Sequence, residues 1–174
     1  IELQYMESAV RCPSVTGANG VGTVWYPFGG TCVMECGPYW LGIRCVPGTS
    51  RGPSGHRHND QLSFELNING QDFIVDPGTG TYTADISLRN QMRSTAAHST
   101  LAIFGQEQNI LVPGREGVFV LRDRTNAKYV RLEPGIFAAE HFGFEVTHQR
   151  TFTLDADGVT INDRLAGELE YTIA

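Results

Sequence analysis

No apolar run in the sequence reaches the roughly 18–20 residues that a membrane-spanning helix requires, so no span is expected. Positive charge is also short. Thirteen Lys and Arg against 19 Asp and Glu leave a net charge of −6, and the pI is near 5.3. A surface of that average sign repels a polyanion, which removes nucleic acid as an expected partner. A polyanionic substrate fits only if Arg and His gather locally. Close Cys-x-x-Cys pairs are missing, which excludes a zinc ribbon. The cysteines are Cys12, Cys32, Cys36 and Cys45, and Cys32 and Cys36 share strand parity with Met34. Buried free thiols are therefore expected ahead of disulfides, and neither redox compartment is favoured. No signal peptide is visible, and the opening Ile1-Glu2-Leu3 without methionine suggests a processed form or a cut piece. Helical periodicity is scarce, with only 87–97 reading as a helical turn or two.

What is there is turn chemistry. Twenty glycines and eight prolines fall in short clusters, the habit of an all-β chain. With 174 residues, 41% hydrophobic and 18% charged, one domain with a real core is within reach. Strands are expected at 21–26, then at 31–35 and 40–46 as a hairpin about Gly37-Pro38. In 61–68, Leu62, Phe64, Leu66 and Ile68 fall on one face. Asn69-Gly70 is the strongest hairpin signal, since both residues tolerate positive φ. The return strand 71–75 is stopped by Asp76-Pro77-Gly78. Further strands are expected at 101–104, 118–122, 129–132, 144–154 and 159–165. Turns at Gly105, Pro113-Gly114, Pro134-Gly135 and Asp155-Ala156-Asp157-Gly158 separate them. Residues 1–20 are weakly patterned, and 47–55 is a loop by composition. The expectation is a single antiparallel β-sandwich over 1–174 with little helix. The chain still reads as a strand at 171–174, which again suggests a fragment.

Three of the five histidines gather between Gly55 and Thr100. On extended backbone, His56, His58 and Asp60 would share a face, and an alternating His-x-His pair is a good start for a metal site. Further ligands would come from Asp76, beyond the partner strand, and from His98, which follows a run of small residues. His141 and His148 stand apart and read as ordinary satisfied or exposed side chains. The hairpin register opposes the grouping. A two-residue turn at Asn69-Gly70 pairs Ser63 with Asp76 and turns Asp76 away from the face of Phe64 and His58. A shared site needs a bulge between His58 and Phe64, a longer turn, or Asp76 twisting off its strand end.

Three strings together resemble the heparinase II/III-like family of polysaccharide lyases. They are Gly55-His56-Arg57-His58-Asn59-Asp60-Gln61-Leu62-Ser63-Phe64, Val75-Asp76-Pro77-Gly78-Thr79, and Arg89-Asn90 through Arg93-Ser94-Thr95-Ala96-Ala97-His98 to Thr100. Gly105-Gln106-Glu107-Gln108-Asn109 fits as well, so the likeness covers about residues 22–110. It implies a β-sandwich following an N-terminal α-toroid, with acidic polysaccharide bound in the cleft between them. It implies one zinc ion on His58, Asp76 and His98, and His56 facing substrate as a catalytic residue. Asn59, Arg89, Arg93 and Tyr82 become candidate substrate contacts. For the two arginines, pairing with acidic side chains or carbonyls is an equal alternative. The reaction implied is β-elimination at a uronate, in which a neutralised carboxylate makes the C5 proton acidic. An extracytoplasmic, bacterial setting goes with it.

Two departures matter. The toroid, which carries the family's catalytic tyrosine and asparagine or histidine, is absent from these 174 residues, and Gln91-Met92 stand where relatives often carry aromatics. The isolated chain is therefore expected to be the zinc-bearing half of a lyase, inactive alone. The rival expectation is a non-catalytic glycan-binding or surface-polysaccharide-assembly module of the same fold.

Overall fold

A computed structural model of the chain describes residues 14–17, 20–47 and 56–167. Cys12, most of the loop at 47–55 and the strand signal at 171–174 lie outside the described residues.

The N-terminal half forms one antiparallel meander of six strands in chain order. They are β1 (Ser14–Thr16), β2 (Gly22–Tyr26), β3 (Thr31–Cys36), β4 (Tyr39–Arg44), β5 (Phe64–Ile68) and β6 (Gln71–Ile74). A linker follows, holding a short helix α1 (Ile86–Met92), a 3-10 turn at Thr95–Ala97 and another at Glu116–Phe119. A two-stranded ribbon, β7 (Ile110–Leu111) with β8 (Leu121–Arg122), closes that linker. The remaining strands, β9 (Lys128–Glu133), β10 (Ile136–His141), β11 (Thr147–Leu154) and β12 (Val159–Ala166), build a second antiparallel sheet.

Alternation makes the sandwich. Cys32, Met34, Leu41 and Ile43 point inward from the first sheet, and Phe137, Ala139, Phe152 and Leu154 from the second; all are buried in one cluster. Trp25 meets Phe137 with ring centroids 5.5 Å apart, and Phe64 meets Phe152 edge-on at 5.8 Å. Large side chains fully buried here, such as Phe137 and Phe152, each contribute about 1.5–3 kcal/mol. Cys32, Cys36 and Cys45 are free and buried. Burial pushes the Cys32 and Cys45 thiols up to about 12, which keeps them inert.

The core is graded. Along β11 the inward positions run His148, Arg150, Phe152, Leu154. Opposite them on β10 stand His141, Ala139 and Phe137. One end of the sandwich interior is thus apolar and the other polar.

Several expected elements differ. Strand β5 begins at Phe64 rather than Gln61, because Leu62 takes φ 60° and turns the chain there. Residues 101–104 form no strand: the chain turns at Phe104-Gly105, with Gly105 at φ 74° and Phe104 wholly exposed. The stretch 118–122 splits into the end of a 3-10 turn and β8, since Gly117 packs against the Val112 backbone. Strand β10 lies where none was expected: its Ala138 and Ala139 are both buried, so no apolar–polar alternation marks it.

Candidate metal centre

The hairpin of β5 and β6 resolves the register conflict in its own way. Asn69 and Gly70 take φ 52° and 80°, the two-residue turn that Asn-Gly favours. Ile68 pairs with Gln71 and Asn67 with Asp72, but Leu66 pairs with Ile74. Phe73 is the extra residue of a β-bulge, 63% exposed. Continuing the shifted register to the strand end sets Asp76 opposite Phe64 instead of Ser63, so its parity is reversed. The bulge lies in the return strand, not between His58 and Phe64.

Asp76, His58 and His98 then converge, with one ligand atom from each all lying within 4.8 Å of one another. His98 Nδ1 is 2.7 Å from Asp76 Oδ2. Asp76 Oδ1 accepts the Gly78 N–H at 2.8 Å, an Asx turn that the Asp-Pro-Gly sequence favours. The His58 and His98 rings sit 5.3 Å apart. His98 is buried, His58 half-buried and the Asp76 side chain 32% exposed, so the group opens to solvent on the aspartate side. Burial, with His98 beside it, pushes His58 down to about 4, so the imidazole is neutral at pH 7. The His98 hydrogen bond holds the Asp76 carboxyl below its usual range.

A neutral His58 and an ionised Asp76 are the states a metal requires of such ligands. Two imidazole nitrogens and a carboxylate oxygen are a donor set that suits zinc. His98 Nε2 is buried without a hydrogen-bond partner among the described residues, so its tautomer is set from the Asp76 side alone. The residues fit the group.

His56 is exposed and leaves the metal group. Its ring meets Tyr82 edge-on at 5.9 Å. Tyr82 stacks on Phe119 at 6.2 Å and 16°, and the Arg89 guanidinium lies 5.0 and 5.1 Å from the two ring centroids. Tyr82 and Phe119 are 48% and 39% exposed while Arg89 is buried beneath them. Asp60 does not join His58; it meets Arg44 at 3.4 Å instead.

The two arginines serve the scaffold. Asp85 caps α1, accepting the Leu88 N–H at 2.9 Å, and Arg89 and Arg93 project from one face of the helix. Arg89 donates to Thr79 Oγ1 and to the Val118 carbonyl. Arg93, 0% exposed, donates to the carbonyls of Gly117, Val118 and Val120. Both therefore hold the 3-10 turn that presents Phe119. Asn59 is buried too. Its amide donates to Glu107 Oε2 at 2.6 Å and to the Asn109 carbonyl at 3.3 Å, and accepts the Asn109 N–H at 3.1 Å.

Glu107 Oε2 also accepts the Thr95 N–H and hydroxyl, each at 2.7 Å. Gln108 exchanges hydrogen bonds with the Gln61 backbone at 2.8 and 3.1 Å. The polar residues around the histidines thus zip the segments bearing His58 and His98 together. Buried polar groups need partners, and a fully satisfied network fixes one arrangement. The structural weight of Glu107, and the exposed ring of Phe119, were not anticipated from sequence. An apolar residue after a Gly turn gives no such signal.

The family model described as heparinase II/III-like, C-terminal, matches residues 20–173. A crystal structure of heparinase III superposes with a TM-score of 0.64 at 20% identity, covering 83% of this chain and 22% of that one. A second heparinase III gives 0.60 at 16% identity, covering 90% and 23%. The heparan sulfate lyase HepC from Pedobacter heparinus gives 0.53 at 22% identity, covering 90% and 22%. This chain therefore spans under a quarter of the length of those structures. Curated protein sequences gave no match. The match over residues 20–173 establishes that the chain belongs to the heparinase II/III-like C-terminal family.

Proposed function

We propose that this chain is the zinc-bearing β-sandwich of a polysaccharide lyase that cleaves uronic-acid-containing polysaccharide by β-elimination. The observation that carries this is the convergence of His58, Asp76 and His98, with His56 exposed two residues before His58. The similar structures are heparinases and a heparan sulfate lyase, which supports an acidic glycan as substrate class. An N-terminal α-toroid in a longer parent chain completes the cleft, and the site of action is extracytoplasmic.

In β-elimination the C5 proton goes to a base, the C4–C5 double bond forms, and the C4–O bond breaks as the leaving oxygen takes a proton. His56, two residues before His58, stands at solvent, where an imidazole can donate to or accept from the substrate. Tyr82 and Phe119 offer ring faces and edges to a sugar, backed by the Arg89 charge. Arg93 and Asn59 act behind the surface, holding the turn and the histidine segment in place. Bound zinc supplies fixed positive charge at the cleft wall and ties three segments of the chain together.

The test is the full-length parent on a panel of acidic polysaccharides, followed by the absorbance of unsaturated uronate products. Product with the parent, and a loss of at least about 100-fold in His56→Ala, is expected for a group acting on the reacting atoms. Glycan binding without any product would assign the fold to a non-catalytic binding or assembly module.

A further inference from the structure

The polar end of the sandwich core holds a second cluster, distant in sequence from the metal ligands and unused by the proposed chemistry. Arg150 on β11 is 6% exposed and makes four hydrogen bonds. Its Nε and one terminal nitrogen donate to Asp163 Oδ1 and Oδ2 at 2.7 and 2.8 Å, a forked pair across β11 and β12. Its other terminal nitrogen crosses to the first sheet and donates to two carbonyls, Leu62 at 2.9 Å and Ser99 at 2.8 Å.

Those carbonyls belong to the two loops that carry the histidine ligands. Leu62 is the buried left-handed residue that turns the His58 segment onto β5, a conformation that persists only where its surroundings enforce it. Ser99 follows His98. Ala139, the residue opposite Arg150 on β10, is small enough to leave room for the guanidinium.

Behind Asp163 the hydrogen bonds form an ordered series. The Gly143 N–H donates to His141 Nδ1 at 3.1 Å, so that nitrogen is an acceptor. His141 Nε2–H then donates to His148 Nδ1 at 3.0 Å, and His148 Nε2–H to Asp163 Oδ1 at 2.7 Å. Both imidazoles are fully buried and every ring nitrogen is used. The series fixes Asp163, and Asp163 fixes Arg150.

We propose that Arg150 is a positioning residue for the metal centre: it clamps the Leu62 and Ser99 carbonyls so that His58 and His98 face one cation. The inference rests on the zinc reading above. It is tested on this chain with Arg150→Met, Arg150→Lys and, as a control of core stability, Phe152→Leu. Zinc affinity is read by chelator competition, ligand geometry by the visible spectrum of the cobalt-loaded chain, and local opening by amide hydrogen exchange of the metal-free chain.

Arg150→Met is expected to weaken zinc about 10–100-fold, the range for loss of a ligand's outer support. It should alter the cobalt spectrum and raise exchange in 58–63 and 98–100 while β2 to β4 stay protected. Phe152→Leu should lower melting temperature without moving the spectrum. If Arg150→Met does not fold, Arg150→Lys, which keeps the charge and can reach one carbonyl, should show the same changes at smaller size. Zinc binding by the wild type with unchanged affinity in the Arg150 variants overturns this proposal alone. Effects matched by Phe152→Leu also overturn it. A wild-type chain that binds no zinc overturns the zinc reading and this inference with it.

Discussion

Phe73 offers a test in which one deletion should be harmless and two should not. As the extra residue of the bulge in β6, it lets Ile74 pair with Leu66 after Asp72 has paired with Asn67. Removing Phe73 leaves the pairings on either side intact and makes the ladder regular, so Asp76 keeps its face. The ring is 63% exposed, so little burial is lost. The cost should be about 0.5–1 kcal/mol, or a melting temperature lower by about 1–4 °C. Zinc affinity should stay within about threefold, since no ligand or supporting hydrogen bond is touched. Removing both Phe73 and Ile74 shifts the strand by one more residue, which turns Asp76 to the opposite face. Affinity should then fall by more than about 100-fold, beyond what loss of an outer hydrogen bond costs. Competition with a chromophoric chelator reads both, with circular dichroism to confirm folding. A folded single-deletion chain that loses zinc, or a folded double-deletion chain that keeps it, would refute the register argument.

Glu107→Ala leaves the Asn59 amide and both Thr95 donors short of an acceptor. At about 1 kcal/mol or more for each of these donors, thermal denaturation should show a fall of about 6 °C or more. Burial pushes His141 down to about 3 and also lowers His148. The unfolded chain therefore takes up protons first as pH falls, and this part of the stability is whole above about 6.5 and shrinks below it. Melting temperatures from pH 7 to 4 should fall, and less steeply in His141→Gln; equal slopes would contradict the assignment. In the full-length parent, Phe119→Ala should raise KM more than it lowers kcat, because the ring offers a binding surface and no proton. Steady-state kinetics read the split.

Sequence and structure agree most where the signal is local. Asn69-Gly70 dictates its turn, alternation marks β2 to β5, and Cys32 and Cys36 are buried thiols as their parity with Met34 suggested. The convergence of His58, Asp76 and His98 came from family resemblance, and the plain register argued against it. The bulge that removes the conflict is silent in sequence, because Asp72, Phe73 and Ile74 read as ordinary strand residues. His148 and Arg150 occupy inward positions that pattern reading reserves for apolar side chains, so their role needed the partner sheet. Asn59 entered as a candidate substrate contact through the family resemblance, yet it is buried. Its burial follows from Glu107 and Asn109, some fifty residues on, which no local pattern reveals.

The zinc content of this chain, purified without chelators and dialysed against metal-buffered solution, tests the account most directly. About one zinc per folded chain is expected, lost in both His58→Ala and Asp76→Asn. A folded wild-type chain that retains no metal, or variants that retain as much as the wild type, would contradict it.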